Sequence, residues 1–260
     1  FVQRVRDGLE VVETDVLGTG GPFYFSWSPD GSRMLWQRNN ERLDIFDAAA
    51  GDVTETLPER PGLFQAPAWS PVDDRLLVGL LNEDGESTDL AILGNGKPRV
   101  LIAGLTGPIA FSWSPNGDYV AYSQRDGALT IVDAFSGKIV ARSPISGVFA
   151  FFWSPNSEHI AYITLGTPPS SFSVQHEARG KVAYIQQATG IAWSVLDITT
   201  SVNRRYGSFI PAQDMLYLLL YFDQFAQSHR LWSPDSRYLI YAEITPDGDS
   251  VISLLDTTKS

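Results

Sequence analysis

Short runs of apolar residues, bounded by Pro, Gly, Asp or Asn, recur along the whole chain. In the stretch from Ile109 to Ser123, for example, the runs IAFSW and YVAYS flank the turn-forming letters SPNGD. β-Branched and aromatic residues dominate these runs, and both the short run length and the punctuation favour β-strands over helices. The pattern therefore predicts an all-β chain of short antiparallel strands joined by tight turns.

A composite motif built around the tripeptide WSP occurs five times, at steps of 42, 44, 40 and 79 residues. An apolar run precedes each tripeptide, a second run follows it, and a third ends at a polar corner such as DAAAG or DAFSG. Self-similarity at a nearly fixed period is the sequence signature of a repeat architecture. The motif's tryptophans are Trp27, Trp69, Trp113, Trp153 and Trp232, and its prolines are Pro29, Pro71, Pro115, Pro155 and Pro234.

The residue types within the motif explain the local structure. In SPDG the proline fixes φ at the second turn position, Asp30 suits the third, and Gly31 can take a positive φ. The second copy has Val72 and Asp73 there, so we expect a different turn. Four short strands in about 42 residues are typical of a propeller blade. We expect the recurrent tryptophans to fill the space between adjacent sheets rather than to stack on a ligand.

The WSPDG turn, the YVAYS strand that follows it and the IVDAFSGK strand and corner resemble the TolB-type β-propeller repeat. That repeat is related to the WD repeat and also occurs in the propellers of prolyl oligopeptidases. The resemblance extends from about residue 23 to the end of the chain, apart from the long insertions. It implies a propeller of four-stranded antiparallel blades, and it fits an extracytoplasmic or periplasmic protein. Because the shared residues serve packing and turns, it says little about function.

Residues 1–17 read as two further strands, the outer pair of another blade. We therefore expect six blades in a single domain over 1–260, as a piece of a longer chain. Five blades, with the two N-terminal strands completing the last sheet, and seven blades are the alternatives. Closing the ring would leave no exposed sheet edge.

The step of 79 residues indicates one enlarged fourth blade rather than a hidden blade, because no proline turn follows Trp193. It contains two insertions, at about 166–190 and 209–229. In a four-stranded antiparallel blade both would leave from the same end of the sheet. The first insertion is polar and broken by prolines, which predicts a flexible arm that is least ordered over 166–181. The second contains eight successive apolar residues, and we expect a short helix within 211–222.

Composition and charge exclude several classes of function. The formal net charge is −11, whereas a nucleic-acid-binding protein needs a basic face, so we expect no nucleic-acid partner. The chain has no cysteine, which removes disulfides, thiolate metal sites and cysteine nucleophiles. No apolar run reaches the 18 or so residues that cross a bilayer. The acids at strand corners are expected to accept hydrogen bonds from local backbone N–H groups.

Motifs for catalysis are scarce. The three histidines are His159, His176 and His229, and we expect His159 to be solvated on the face that bears the turns. His176 and His229 could approach Asp223 in an acid–base or metal cluster, although no paired-ligand spacing requires it. GxSxG, HExxH and phosphate-loop motifs are absent from the sequence.

The sequence thus favours a non-catalytic module that binds a protein, a peptide or a small ligand at the insertion face. No catalytic residue, metal or cofactor is predicted, and the oligomeric state stays open. The rival hypothesis is an enzyme, either a propeller hydrolase or lyase that uses the His/Asp cluster or the propeller part of a prolyl-oligopeptidase-like peptidase. The candidate binding residues are His176, Tyr221, Phe222, Asp223, Gln224 and His229.

Overall fold

A computed structural model describes residues 2–6, 10–15, 23–38, 42–57, 66–94, 98–124, 127–167, 190–220 and 230–259 of the chain. These residues form two compact units, Phe1–Gly104 and Leu105–Ser260.

The first unit is built from antiparallel strands. A two-stranded sheet is followed by two four-stranded sheets in chain order, β3 to β6 and β7 to β10, and the last strand crosses the unit boundary by two residues. The strands are β1 (Val2–Arg6), β2 (Glu10–Asp15), β3 (Phe23–Trp27), β4 (Arg33–Arg38), β5 (Arg42–Asp47), β6 (Asp52–Leu57), β7 (Ala68–Trp69), β8 (Leu76–Leu81), β9 (Ser87–Leu93) and β10 (Arg99–Thr106).

The second unit contains one four-stranded sheet, β11 to β14, and one six-stranded sheet, β15 to β20, both in chain order and antiparallel. In the six-stranded sheet β18 and β19 share only two residue pairs. The elements are β11 (Ile109–Trp113), β12 (Tyr119–Gln124), β13 (Ala128–Asp133), β14 (Ile139–Ser146), β15 (Val148–Trp153), β16 (His159–Gly166), β17 (Gly190–Asp197), β18 (Asn203–Pro211), α1 (Gln213–Leu220), β19 (Tyr238–Ile244) and β20 (Ser250–Asp256).

The expected unit of four short antiparallel strands is confirmed. Each of the first four WSP motifs lies between the first two of four consecutive strands, the fifth precedes β19, and we call the five resulting groups of strands the first to fifth repeats. The fourth repeat is β15 to β18. The fifth repeat is β19 and β20, with Trp232 joined to β19 by an isolated bridge.

The WSP turns have the structure that their residues predict. In the first repeat the N–H of Gly31 donates to the carbonyl oxygen of Ser28 over 2.9 Å, and Gly31 has a φ of 70°. The side chain of Asp30 accepts hydrogen bonds from Ser28 and from Ser32, which fixes the turn. In the second repeat the turn carboxylate belongs to Asp73, three residues after the motif serine rather than two as in the first repeat. It accepts a hydrogen bond from the N–H of Arg75. The expectation of a different turn there is confirmed.

Neighbouring repeats of the second unit are joined at these turns. Ser157 and Ser236 occupy the positive-φ position that glycine holds in the first repeat, with φ of 62° and 59°. The hydroxyl of Ser157 accepts from the N–H of Asn116, and the hydroxyl of Ser236 accepts from the N–H of Asn156, each over 3.1 Å. The strained conformation thus places a side-chain acceptor against the preceding repeat.

The motif tryptophans pack unequally. Trp69, Trp113 and Trp232 are buried, and Trp153 is half-buried and stacks on Tyr119. Trp27 is 51% exposed, so the expectation that every motif tryptophan fills the space between adjacent sheets was wrong for this residue. Burial depends on the surface that covers an indole, and the motif alone does not specify that surface.

The apolar core of the second unit is centred on the fourth repeat, where β17 is buried over its whole length except for its last residue. Fully buried residues on neighbouring strands surround it, and the indole of Trp193 stacks on Phe209 with ring centroids 6.5 Å apart. The largest fully buried side chains of this core are Trp193, Tyr162, Phe151, Leu129, Ile131, Ile160, Ile163 and Leu196.

Candidate functional site

The strand ends of the fourth repeat bring both long connections to one end of the sheet. Gly166, where β16 ends, pairs with Gly190, where β17 begins, and Ile191 pairs with Phe209 close to the end of β18. The connections 167–189 and 212–230 therefore leave from neighbouring strand ends. The WSP turn and the corner after Asp197 lie at the other end. We call the end with the long connections the insertion end.

A β-bulge in β18 lies near the insertion end. Ala192 pairs with Ser208 and Ser194 pairs with Arg205, so Tyr206 and Gly207 together oppose the single residue Trp193. An extra residue of this kind bends a strand and redirects its side chains, and bulges are frequent beside binding sites.

A groove of about 630 Å³ lies between the end of β16 and the bulge, lined by residues 165–167 and 205–208. Its floor consists of small residues. A Cβ atom added at Gly166 would lie 2.7 Å from the Oγ of Ser208 and 3.5 Å from the Cβ of Ala192. The absence of a side chain at residue 166 therefore leaves room for the Ser208 side chain, because a Cβ atom there would collide with the Oγ of Ser208.

Polar groups surround the groove. The side chain of Arg205 is exposed, and it carries the only formal charge among the lining residues. Thr164 lies two residues before Gly166 in β16. It is 2% exposed, and its hydroxyl has no hydrogen-bond partner among the described residues. The Tyr206 hydroxyl donates to the carbonyl oxygen of Thr257 over 2.8 Å, and burial raises its pKa. That bond fixes Tyr206 as part of the wall.

Helix α1 begins two residues after β18 and lies at the same end. The expected short helix within 211–222 is confirmed, and Asp214 lies in its first turn, where a negative charge is favourable. Met215 and Leu219 are buried in the core, and Leu218 packs against it. Leu216 is 43% exposed and Tyr217 is 54% exposed. One side of the helix thus holds it in place, and the other exposes Leu216 and Tyr217 together with the polar Gln213 and Asp214. No helix among the described residues has the length and apolarity needed to cross a membrane.

The binding residues predicted from sequence lie outside the described residues. They fall in 168–189 and 221–229: His176, Tyr221, Phe222, Asp223, Gln224 and His229. The predicted low order of 166–181 also falls outside them, apart from its first two residues. Sequence reasoning missed the groove, because the β-bulge that contributes to it leaves no motif in the sequence.

His159 lies at the end that bears the turns and is half-buried, so the expectation that it is solvated was wrong. Its Nε2 lies 3.8 Å from a carboxylate oxygen of Asp197, and its ring centroid lies 6.5 Å from that of Trp232. A distance of 3.8 Å is longer than a hydrogen bond, so the pair does not have the geometry of a catalytic dyad. Burial alone would raise the pKa of Asp197, but hydrogen bonds from Thr200 and Thr199 lower it below the usual value.

The acids at the strand corners have the local role that the sequence predicts. Asp47 accepts from the N–H groups of Ala49 and Ala50, and Asp133 accepts from those of Phe135 and Ser136. Within the described ranges, no three His, Asp or Glu side chains are grouped so that they could hold a metal ion.

Comparisons with known proteins identify the fold. No protein-family model and no curated protein sequence matches the chain. Among solved structures it is similar to TolB from Acinetobacter baumannii, with a TM-score of 0.50 and 14% identity over 91% of this chain and 52% of that one. It is also similar to the tricorn protease, with a TM-score of 0.52 and 18% identity over 90% of this chain and 21% of that one.

The chain therefore spans about half the length of TolB and about a fifth of the tricorn protease chain. At these identities the likeness shows the fold alone, which is a TolB-like β-propeller. The resemblance drawn from the WSPDG repeats is thus confirmed at the level of the fold.

Proposed function

We propose that the chain is a non-catalytic binding module that holds a protein or peptide partner at the insertion end of the fourth repeat. The observation that carries the proposal is helix α1, which is fixed by Met215 and Leu219 and exposes Leu216 and Tyr217. Exposed apolar side chains on a helix that is fixed by its buried side are typical of surfaces that bind partners.

The predicted binding residues extend this surface in our proposal. Tyr221, Phe222, Asp223, Gln224 and His229 follow α1 directly in the sequence, and His176 belongs to the first insertion. Their mixture of aromatic and hydrogen-bonding side chains suits the centre of an interface, where aromatic residues are enriched.

A sixth blade is part of the same proposal. Strands β1 and β2 pair with each other as a two-stranded sheet, as the sequence predicts for the outer pair of a further blade. We propose six blades on this basis. The binding hypothesis does not depend on the number.

An enzyme is the second candidate, and a propeller of this fold also occurs in a structure named as a protease, the tricorn protease. The chain would then be either the propeller part of a larger peptidase, with no activity of its own, or a propeller hydrolase or lyase that uses His176, Asp223 and His229. Incubation of the chain with a library of fluorogenic peptides tests for its own activity. Hydrolysis above the rate in buffer that disappears in the double variant His176→Ala/His229→Ala would favour the enzyme.

Paired charge substitutions on α1 test the binding function. Leu216→Asp combined with Tyr217→Asp places two charges on the exposed side of the helix, and Phe135→Asp places one on an exposed aromatic at a corner of the third repeat. Proteins retained by the immobilised chain are quantified by mass spectrometry. The proposal predicts one or more proteins that the wild type and Phe135→Asp retain equally and that the double variant loses. Equal retention by all three chains, or no specific retention by the wild type, would contradict it.

A further inference from the structure

We propose that the groove beside Gly166 binds the side-chain carboxylate of an acidic peptide through Arg205. This inference rests on the proposed binding function and names the chemistry that one part of the insertion end recognises.

The shape of the groove suits an extended chain. Gly207 has no side chain and nothing within 4 Å of where a Cβ atom would lie, and the neighbouring Ser208 has a short side chain, so another backbone can approach the sheet closely. Close approach of another backbone is a common reason for glycine in a strand. The bulge at Tyr206 and Gly207 lies on one side of the groove, and Leu165, which is exposed, provides apolar contact at the rim.

The charge of the groove selects an anionic group. Arg205 supplies one positive charge, and no acidic residue lines the groove among the residues that the structure describes. A guanidinium matches a carboxylate with two parallel N–H to oxygen hydrogen bonds. The chain as a whole carries a net charge of −11, so an acidic ligand is held here only by a local cation.

One positive charge favours a carboxylate over a phosphate. The neighbouring Arg204 donates to the carbonyl oxygen of Thr257 and so is directed to the fifth repeat. A phosphate group, with a charge of about −1.5 to −2, would leave most of its charge uncompensated at a single arginine. A carboxylate with a charge of −1 is balanced.

Hydroxyl groups complete the site. The Ser208 Oγ lies directly over Gly166, and Thr167 lies at the rim. The Thr164 hydroxyl is on the same face of β16 as Gly166, because alternate residues of a strand share a face. It has no partner among the described residues, but it is buried and does not line the groove, so an ordered water rather than the peptide would satisfy it.

The test uses the whole chain and two matched probes, the blocked tripeptides acetyl-Ala-Glu-Ala-amide and acetyl-Ala-Gln-Ala-amide. Binding is followed by NMR titration. An exposed ion pair is worth up to about 1 kcal/mol, so we expect the Glu peptide to bind about fivefold more tightly than the Gln peptide. Arg205→Gln should abolish this preference. The control Lys138→Gln removes one exposed positive charge at the end that bears the turns and should leave the preference unchanged.

A second variant tests the groove independently of charge. Gly166→Ala puts a methyl group against Ser208, and we expect it to weaken both peptides together, with folding checked by circular dichroism. Equal binding of the two peptides to the wild type, or an unchanged preference in Arg205→Gln, would overturn the proposal. Binding of a phosphoserine peptide in place of the Glu peptide would also overturn it. None of these results alters the outcome expected for the α1 variants, so failure here is separable from failure of the proposed function.

Discussion

The indole Nε1 of Trp232 donates a hydrogen bond of 2.9 Å to the carbonyl oxygen of Phe152, the residue that precedes the tryptophan of the fourth repeat. The same relationship joins Trp69 to Ser26 in the first unit, over 3.1 Å. In both cases the donor is the motif tryptophan of one repeat and the acceptor precedes the motif tryptophan of the repeat before it. The tryptophan therefore joins neighbouring repeats through the hydrogen bond of its indole N–H as well as through its buried apolar surface.

Replacing Trp232 separates these two contributions. Trp232→Phe keeps most of the apolar contact and removes the indole hydrogen bond to the Phe152 carbonyl, so we expect a loss of about 1 kcal/mol in the free energy of unfolding. Trp232→Ala also empties a packed site and should cost about 3–5 kcal/mol. Urea unfolding measures both. Trp153→Phe is the control, because its Nε1 is buried with no partner among the described residues, and it should cost much less than Trp232→Phe. Equal losses in the two Phe variants would show that the hydrogen bond contributes nothing.

Substitutions at Ser157 test the strained turn. Ser157 has a φ of 62°, and its hydroxyl accepts from the N–H of Asn116. Ser157→Ala loses the hydrogen bond and keeps the strain, whereas Ser157→Gly loses the bond but relieves the strain. We expect the alanine variant to be less stable than the glycine variant by about 1 kcal/mol. The reverse order in chemical unfolding would show that the strain is negligible.

Acid should destabilise the turns. Hydroxyl hydrogen bonds from Ser28 and Ser32 lower the pKa of Asp30 from its usual 3.8 to about 2. A carboxyl whose pKa is lower in the folded state stabilises the fold above its unfolded pKa, and this stabilisation is lost as the pH falls through the folded value. We therefore expect stability to fall between about pH 4 and pH 2. The fall should be shallower in Asp30→Asn, as followed by thermal melting across that range. Parallel profiles for the two chains would refute the assignment.

The two sides of α1 should respond oppositely to charge. Leu219 is 2% exposed in the core, so Leu219→Asp buries an unpaired charge and should prevent folding or cost more than about 3 kcal/mol. Leu216→Asp, on the exposed side, should leave the melting temperature within a few degrees of the wild type. Circular dichroism at rising temperature measures both. If Leu219→Asp melts like the wild type, the helix does not pack as described.

The repeat made most of the fold predictable from sequence. Turn residues such as Pro29 and Gly31 act locally, so their effect can be read from the letters alone, and the strands on either side follow from periodicity. The exposure of Trp27 could not be read in this way, because its motif is identical to that of buried copies and only the covering surface differs. The groove beside Gly166 arises from missing side chains and a register shift in β18, and neither leaves a motif. The half-buried state of His159 could not be predicted either, because Trp232, the ring that lies near it, is distant in the sequence.

Site-specific photo-crosslinking tests the binding function most directly. A p-benzoylphenylalanine is introduced in place of Tyr217 on α1 or, as the control, in place of Phe135, which is an exposed aromatic at the end that bears the turns. Each chain is irradiated in extract from the cells that produce it, and adducts are identified by mass spectrometry. A binding module at the insertion end predicts a saturable adduct with a specific protein or peptide at position 217 and none at position 135. No adduct at position 217, or the same adducts at both positions, would contradict it.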